Sequence, residues 1–572
     1  MKKQSLLFLL MAALMIGITS CGDDEETFFD RPDVAPPSSD PAVQVGTSTT
    51  FNVAIDAPAG IASVTASANG GTVTVDNADD LVGEVSGTAN LTYQAPMDEG
   101  VYRITITVTD EQSPAKSQEL RVPVDVTPEP QKEIVDVFPS LEGTGTVTWT
   151  ADKIYVLRGF IFVNDGQTLT IDPGTVIKGQ PGQGSGASAL IVARGGTINA
   201  MGEANNPVIF TGLADDLEGS LPDDANSQWG GIIVLGNGPT NNNDTDGERN
   251  IEGIPTEEPR GSYGPDGDFP LDDMDNSGTI QYISIRHGGS LIGSDNEING
   301  LTLGAVGAGT TIENVEVFSN LDDGIEFFGG NVNVSGIVLA YSGDDGIDID
   351  EGYSGGVQKG IVWHTSQTIE SDDPSGGEWD GGDDVNEPEM PYATSVVANI
   401  TFIYDDNGDN DLAFAIRWRD NNSTSLHNSI VMGHDAPFWL EFRDDKINSN
   451  NSMAQSSWHR WEAGDLGITK NIFYNINGSN DVASMVDLGG IDDAAQEEAD
   501  FEAYIADNNA VIDPAFGTGG AKFTPSAAEA TSDLAALPSG FDFMDLQYKG
   551  GVDPAAAEPF FANWTKTWEV IQ

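Results

Sequence analysis

Two stretches decide how this chain is read: IENVEVFSNLDDGIEFFGG at 312–330 and VSGIVLAYSGDDGIDIDEG at 334–352. With an offset of 22 residues, apolar run lies over apolar run and Asp-Asp-Gly over Asp-Asp-Gly. SGIVLAYSG (335–343) matches KGIVWHTSQ (359–367) again, at an offset of 24, and ANITFIYDDNG (398–408), HNSIVMGHDA (427–436) and KNIFYNINGS (470–479) echo the form. Short β runs closed by polar turns, recurring every 22–30 residues, mark a solenoid whose repeats pack only on their neighbours. No regular L-x-x-L-x-L frame supports a leucine-rich repeat, and each unit is too short for a propeller blade. The pattern predicts an all-β chain with a right-handed parallel β-helix, one coil per repeat. GQTLTIDPGTVIKGQ, SALIVARGGTINAMG, NPVIFTG and WGGIIVLGNGP belong to it too, which places the helix at 135–485 and a C-terminal cap region at 486–572.

The same register concentrates charge. Asp322 and Asp323 are expected under Asp344 and Asp345, with Glu326 under Asp348. Four carboxylates within about 5 Å of one another cannot all stay ionised in a dry site, so some hold a proton or a cation sits between them. Ca2+ is the natural candidate, because it accepts roughly 6–8 oxygens in irregular geometry. Asp350 and Glu351 lie close enough in sequence to complete its shell. A solvated acidic edge and a catalytic set of acids are the other readings of this pattern. In YDDNGDNDL (404–412), Asp405, Asn407, Asp409 and Asp411 alternate as ligands do in calcium loops, without the Glu that closes an EF-hand. DDMDNSG (272–278) repeats that spacing at Asp273, Asp275 and Ser277.

Composition narrows the partners. Of 572 residues, 91 are Asp or Glu and 24 are Lys or Arg, a formal charge of −67. Such a surface repels nucleic-acid phosphates and anionic lipid, so no nucleic-acid partner is expected. The single cysteine leaves no disulfide, and the five histidines show no zinc spacing. Aromatic and basic residues gather in the C-terminal third: Arg417, Trp418 and Arg419, then Trp439 with Arg443, then Trp458 and Trp461. Sugar rings stack on exposed aromatic faces while Arg and Asp bond their hydroxyls, so the mixture suits a glycan surface. Closure of the solenoid's end by large aromatics is the competing reading.

The N-terminal part differs. Met1–Ser20 combines Lys2 and Lys3 with a run of about 11–13 apolar residues, well short of the ~20 that cross a bilayer, and reads as a secretory signal. Ile18-Thr19-Ser20-Cys21 is similar to a lipobox, whose cysteine is diacylated and anchors the chain in lipid. Residues 21–42 are acidic and then Pro/Ser-rich (Pro32, Pro36, Pro37, Pro41), a flexible tether. From 43 to 128, period-two strands such as TFNVAI (50–55) and YRITITV (102–108) predict an immunoglobulin-like spacer sandwich.

LTIDPGTVIKGQPGQGSGASALIVARGGTINAMG, WGGIIVLGNGP, IEGIPTEEPRGSYG, the stretch from YISIRHGG to EFFGG, and YKGGVDPAAAEPFFANWTKTWEVI together resemble a group of Bacteroidota surface lipoproteins with a pectin-lyase-type β-helix. GDDEE after Cys21 resembles the signal that exports such lipoproteins to the outer face of the outer membrane. The resemblance covers about 135–572 and implies a fold and an address, with no reaction attached. GDDGI (343–347) resembles the Asp-Asp motif of polygalacturonases, but RHGG (286–289) precedes it rather than following it, and no R-I-K follows. Calcium-dependent lyases also need a Lys or Arg base, for which Arg286, Lys359, Arg417 and Arg419 are the available cations. Three functions follow as expectations: a non-catalytic, calcium-supported surface protein that binds polysaccharide or a surface protein; a lyase or hydrolase acting on acidic glycans; and a structural subunit of an outer-membrane assembly.

Overall fold

The computed structural model describes residues 29–572 apart from 129–130, 242–247, 294–295, 367–370, 372–373, 383–390, 406–412, 442–455 and 490–494. The chain divides into two compact units, Met1–Gln131 and Lys132–Gln572.

The first unit is a sandwich of two four-stranded sheets. Ser48–Asp56 pairs antiparallel with Ser86–Gln94, and Gly100–Asp110 with Ser117–Thr127. The opening segment serves both sheets: Asp33–Ala35 runs antiparallel to Ser48–Asp56, then Ala42–Gln44 runs parallel to Ser117–Thr127. Strict alternation buries Val53, Ile55, Leu91, Ile104, Ile106 and Val124 between the sheets. This is an immunoglobulin-like arrangement.

The second unit is the β-helix. One side is a ladder of ten parallel strands, from Phe160–Val163 through Ile325–Phe328 and Ile347–Asp350 to Val486–Gly489. At ~4.8 Å per rung this side alone extends about 43 Å. The other sides form a 17-stranded parallel sheet in which strands such as Thr311–Asn320, Val334–Ser342 and Gly356–Thr365 turn a corner at one residue. That residue is left-handed in successive coils: Tyr282, Asn314, Gly336, Lys359, Asn399, Asn428 and Lys470, with φ between 47° and 73°. Asn and Gly suit the conformation, whereas Tyr and Lys take it at a cost of about 1–2 kcal/mol each.

Paired registers support the 22-residue offset, with Ile312 opposite Val334 and Ile325 opposite Ile347. The next step is 23 residues rather than the 24 expected from sequence, since Val334 lies opposite Val357. The corner explains the slip, because Lys359, not Gly360, stands where Gly336 stands one coil earlier.

Inward side chains stack as Leu303, Phe327, Ile349, Trp379, Trp418, Leu440 and Leu488. The coils run on past 485, to strands Val486–Gly489 and Ala510–Val511. Helices Ser457–Ala463 and Ala495–Asn508 pack Trp458, Phe501 and Ile505 onto the end of the core, so the cap begins before residue 486. Residues beyond 512 return along the flank instead of closing the end, because the flank strands carry apolar side chains that need covering.

Candidate functional site: an acidic well on the ten-stranded side

On the ten-stranded side, side chains alternate between the core and the outside, so each rung offers the exterior every second residue. One outward column reads Thr302, Glu326, Asp348, Glu378, Arg417, Trp439 and Asp487. The turn before each strand adds a second row. Asp323 N donates to Asn299 Oδ1 (3.2 Å), Asp345 N donates to Asp323 Oδ1 (2.9 Å), and Ser375 N donates to Asp345 Oδ1. This ladder of side-chain acceptors locks the turns in register and holds two buried carboxylates one above the other.

Together these rows line a cleft of about 560 Å3 with Glu252, Glu297, Asp322, Asp323, Glu326, Asp344, Asp345, Asp348, Glu378 and Asp380, ten acids in all, and Arg419. Two sets meet closely: Asp322, Asp323 and Asp344, and Asp323, Glu326 and Asp348, each with carboxylate oxygens within 4.8 Å of one another. At an effective dielectric of about 20, two charges at that separation repel by about 3 kcal/mol. Burial, then the neighbouring carboxylates, pushes Asp322, Asp323, Glu326 and Asp348 well above the usual carboxylate range. Burial raises Asp345 to about 6, with Arg417 and the Ser375 hydrogen bonds opposing it. Glu252, on the loop that walls the well, rises to about 7 for the same first reason, against hydrogen bonds with Glu326 and Asn299. Asn299 Nδ2 bridges the two glutamates, donating to Glu252 Oε1 (2.9 Å) and to Glu326 Oε2.

Two arginines close one end. Arg417 pairs with Glu378, lies 3.8 Å from Asp345, and donates from Nε to Ser375 Oγ (2.7 Å). Arg419 pairs with Glu378 at 2.5 Å and Asp380 at 2.6 Å. Oxygen-only donors around a rigid concavity fit a hard divalent cation such as Ca2+.

Of the residues singled out from sequence, Asp322, Asp323, Asp344, Asp345 and Asp348 come together in the well. Asp350 lies beyond it, accepting from Glu351 N at 2.6 Å. Glu351 is turned away, buried against Arg249 (2.7 Å) and the Tyr263 hydroxyl (2.7 Å). Asp405 is engaged on the flank by Trp363 Nε1 (2.9 Å) and Lys522 Nζ (2.5 Å). Asn407, Asp409 and Asp411, like Cys21 and Arg443, lie outside the described residues. The 272–278 segment is a turn folded onto Gly307–Gly309, and among the described residues Asp275 joins no close set of three acids.

The aromatic cluster is corrected in part. Trp418 is fully buried and Trp458 is nearly so, hence neither offers a face to a sugar. In Arg-Trp-Arg the alternation sends the arginines out and Trp418 in, a signal present in the sequence. Trp461 is half-buried among Trp458, Phe501 and Tyr504 in the cap. Trp439, half-buried beside Arg417 in the outward column, keeps a place next to the well. Sequence reasoning missed Glu252, Glu297, Glu378 and Asp380, which arrive from loops or from coils of irregular length.

No curated protein matches the chain. Among solved structures, the Yersinia enterocolitica family 28 exopolygalacturonase is matched at 10% identity over 78% of this chain and 92% of that one, with a TM-score of 0.16 that decides nothing about the site. Residues 141–509 match the pectate-lyase-like β-helix domain, and the chain belongs to that family.

Proposed function

We propose that this chain is a lipid-anchored, cell-surface β-helix protein that binds polysaccharide or mediates adhesion without catalysis, with Ca2+ held in the acidic well. The observation that carries the reading is the pair of overlapping acid sets sharing Asp323, each within 4.8 Å. Fixed on hydrogen-bonded rungs, these groups cannot relieve their repulsion by moving apart, so proton or cation uptake must do it. A bound Ca2+ would take sugar hydroxyls or bridge to the carboxylates of an acidic glycan, with Arg419 lining the same well and Trp439 three rungs along the outward column from Asp348. Arg417 and Arg419 are held by Glu378 and Asp380, which counts against either serving as the base of a lyase. The lipobox-like sequence ending at Cys21 supplies the anchor in outer-membrane lipid.

The second reading is a hydrolase, for which Asp345, buried in the lining of the cleft and raised by that burial to about 6, is the candidate general acid. Native electrophoresis of the unlipidated protein through gels cast with single polysaccharides, with Ca2+ or chelator, separates the readings. Retardation that needs Ca2+ and leaves the polymer intact supports binding. Clearing of the polymer would make the protein an enzyme.

A further inference from the structure

The flank formed by Thr311–Asn320, Val334–Ser342, Gly356–Thr365 and Val396–Asp405 is apolar on both faces. Val317, Leu339 and Val362 belong to the interior cluster, while the neighbouring Phe318, Val338, Ile361 and Trp363 belong to a separate one. What buries the second cluster is the end of the chain: Phe523, Phe561, Trp564, Trp568 and Ile571. Polar contacts fix the path. Gln358 exchanges hydrogen bonds with the Met544 backbone (3.0 and 2.8 Å), Asn428 does so with Ala535 (3.1 and 2.8 Å), and Gly551 N donates to Thr401 Oγ1 (2.9 Å). Glu316 holds the last segment. Its carboxylate, fully buried, accepts from Ser284 Oγ (2.5 Å), Lys566 N (2.8 Å), Thr567 N (2.7 Å) and Thr567 Oγ1 (2.8 Å).

We infer that residues 513–572 are a clasp: a separable segment that docks on an already formed β-helix, seals an apolar flank and is keyed in place by Glu316. Among the described residues neither sheet of the β-helix has a strand beyond Val511, so the coils satisfy their ladders without it. Three of the four donors to Glu316 come from the clasp, and a buried carboxylate deprived of donors is costly, so docking and the burial of Glu316 are coupled. Released, the clasp would uncover a contiguous aromatic and aliphatic surface of the kind that drives association. The strand carrying Glu316 ends at Asn320, just before Asp322 and Asp323, so the clasp also braces the acidic turns from behind. The inference rests on the packing alone and stands whatever the well binds.

The test uses the full chain with a protease cleavage sequence inserted at the exposed Gly517–Gly519 turn, cut after folding. The wild-type fragment stays bound on size exclusion. With Glu316→Gln it leaves on the order of tenfold to a hundredfold faster, an apolar dye binds the remaining coils, and their far-UV β signal persists. Thr567→Val, which removes one donor and keeps the carboxylate, gives a smaller acceleration in the same direction and serves if the first variant folds poorly. Unchanged release in both variants, or release that takes the β signal with it, would overturn the inference, the latter because the segment would then be part of one cooperative core.

Discussion

Asp345 donates its backbone N–H to Oδ1 of Asp323, 22 residues earlier, at 2.9 Å. The bond gives one carboxylate two tasks: one oxygen caps the turn of the next coil, and the side chain also joins both close acid sets of the well. Structure and charge are separable here, because an amide can cap a turn as well as a carboxylate can, without the charge.

Asp323→Asn is therefore expected to keep the ladder and relieve repulsion, leaving stability in chelator unchanged or raised by up to about 1 kcal/mol. Asp323→Ala removes the cap from a buried N–H and is expected to cost about 1–3 kcal/mol. Urea unfolding of both variants in chelator measures the difference.

The pH dependence of the cation-free protein follows from the raised carboxyls. Asp345 at about 6 and Glu252 at about 7 hold protons in the fold that the unfolded chain has lost. Their stabilising effect is thus fully present below the unfolded values near 4 and disappears as pH rises through 6 and 7. The loss is at most about 1.4 kcal/mol for each pH unit separating a carboxyl's folded and unfolded values. Thermal unfolding in chelator should show a midpoint that falls between pH 5 and pH 8, with a shallower fall in Glu252→Gln. Added Ca2+ should raise the midpoint more at pH 8 than at pH 5, because protons and the cation compete for the same oxygens.

Two tryptophans should separate core from surface. Trp418→Ala empties a fully buried site and is expected to cost about 3–5 kcal/mol. Trp439→Ala, in the outward column beside Arg417, should change stability by about 1 kcal/mol or less and weaken retardation by any polysaccharide the protein binds. Chemical denaturation and the same affinity gels measure both.

The repeat was legible because core residues recur with the coil, and the 22-residue offset was enough to place Glu326 against Asp348. What was not legible came from breaks in that rule. A lysine in a left-handed corner moved the next register by one, since matching glycine to glycine selects Gly360 where the backbone uses Lys359. Glu378 and Asp380 follow an irregular stretch, and Glu252 comes from a loop about 70 residues before Asp322, positions that only the folded stack brings to the well. Composition leaves the tryptophans open between a glycan surface and closure of the solenoid's end, whereas period-two alternation in Arg417-Trp418-Arg419 assigns Trp418 to the interior.

The most direct test of the acidic well is calorimetric titration of Ca2+ into the chelator-treated protein at pH 7.5, beside a variant carrying Asp323→Asn and Asp348→Asn. Saturable binding by the wild type, accompanied by proton release, is expected, with its loss in the variant and an unchanged far-UV spectrum. A wild type that shows no saturable binding at millimolar Ca2+, or a variant that binds as tightly as the wild type, would contradict a cation site in the well.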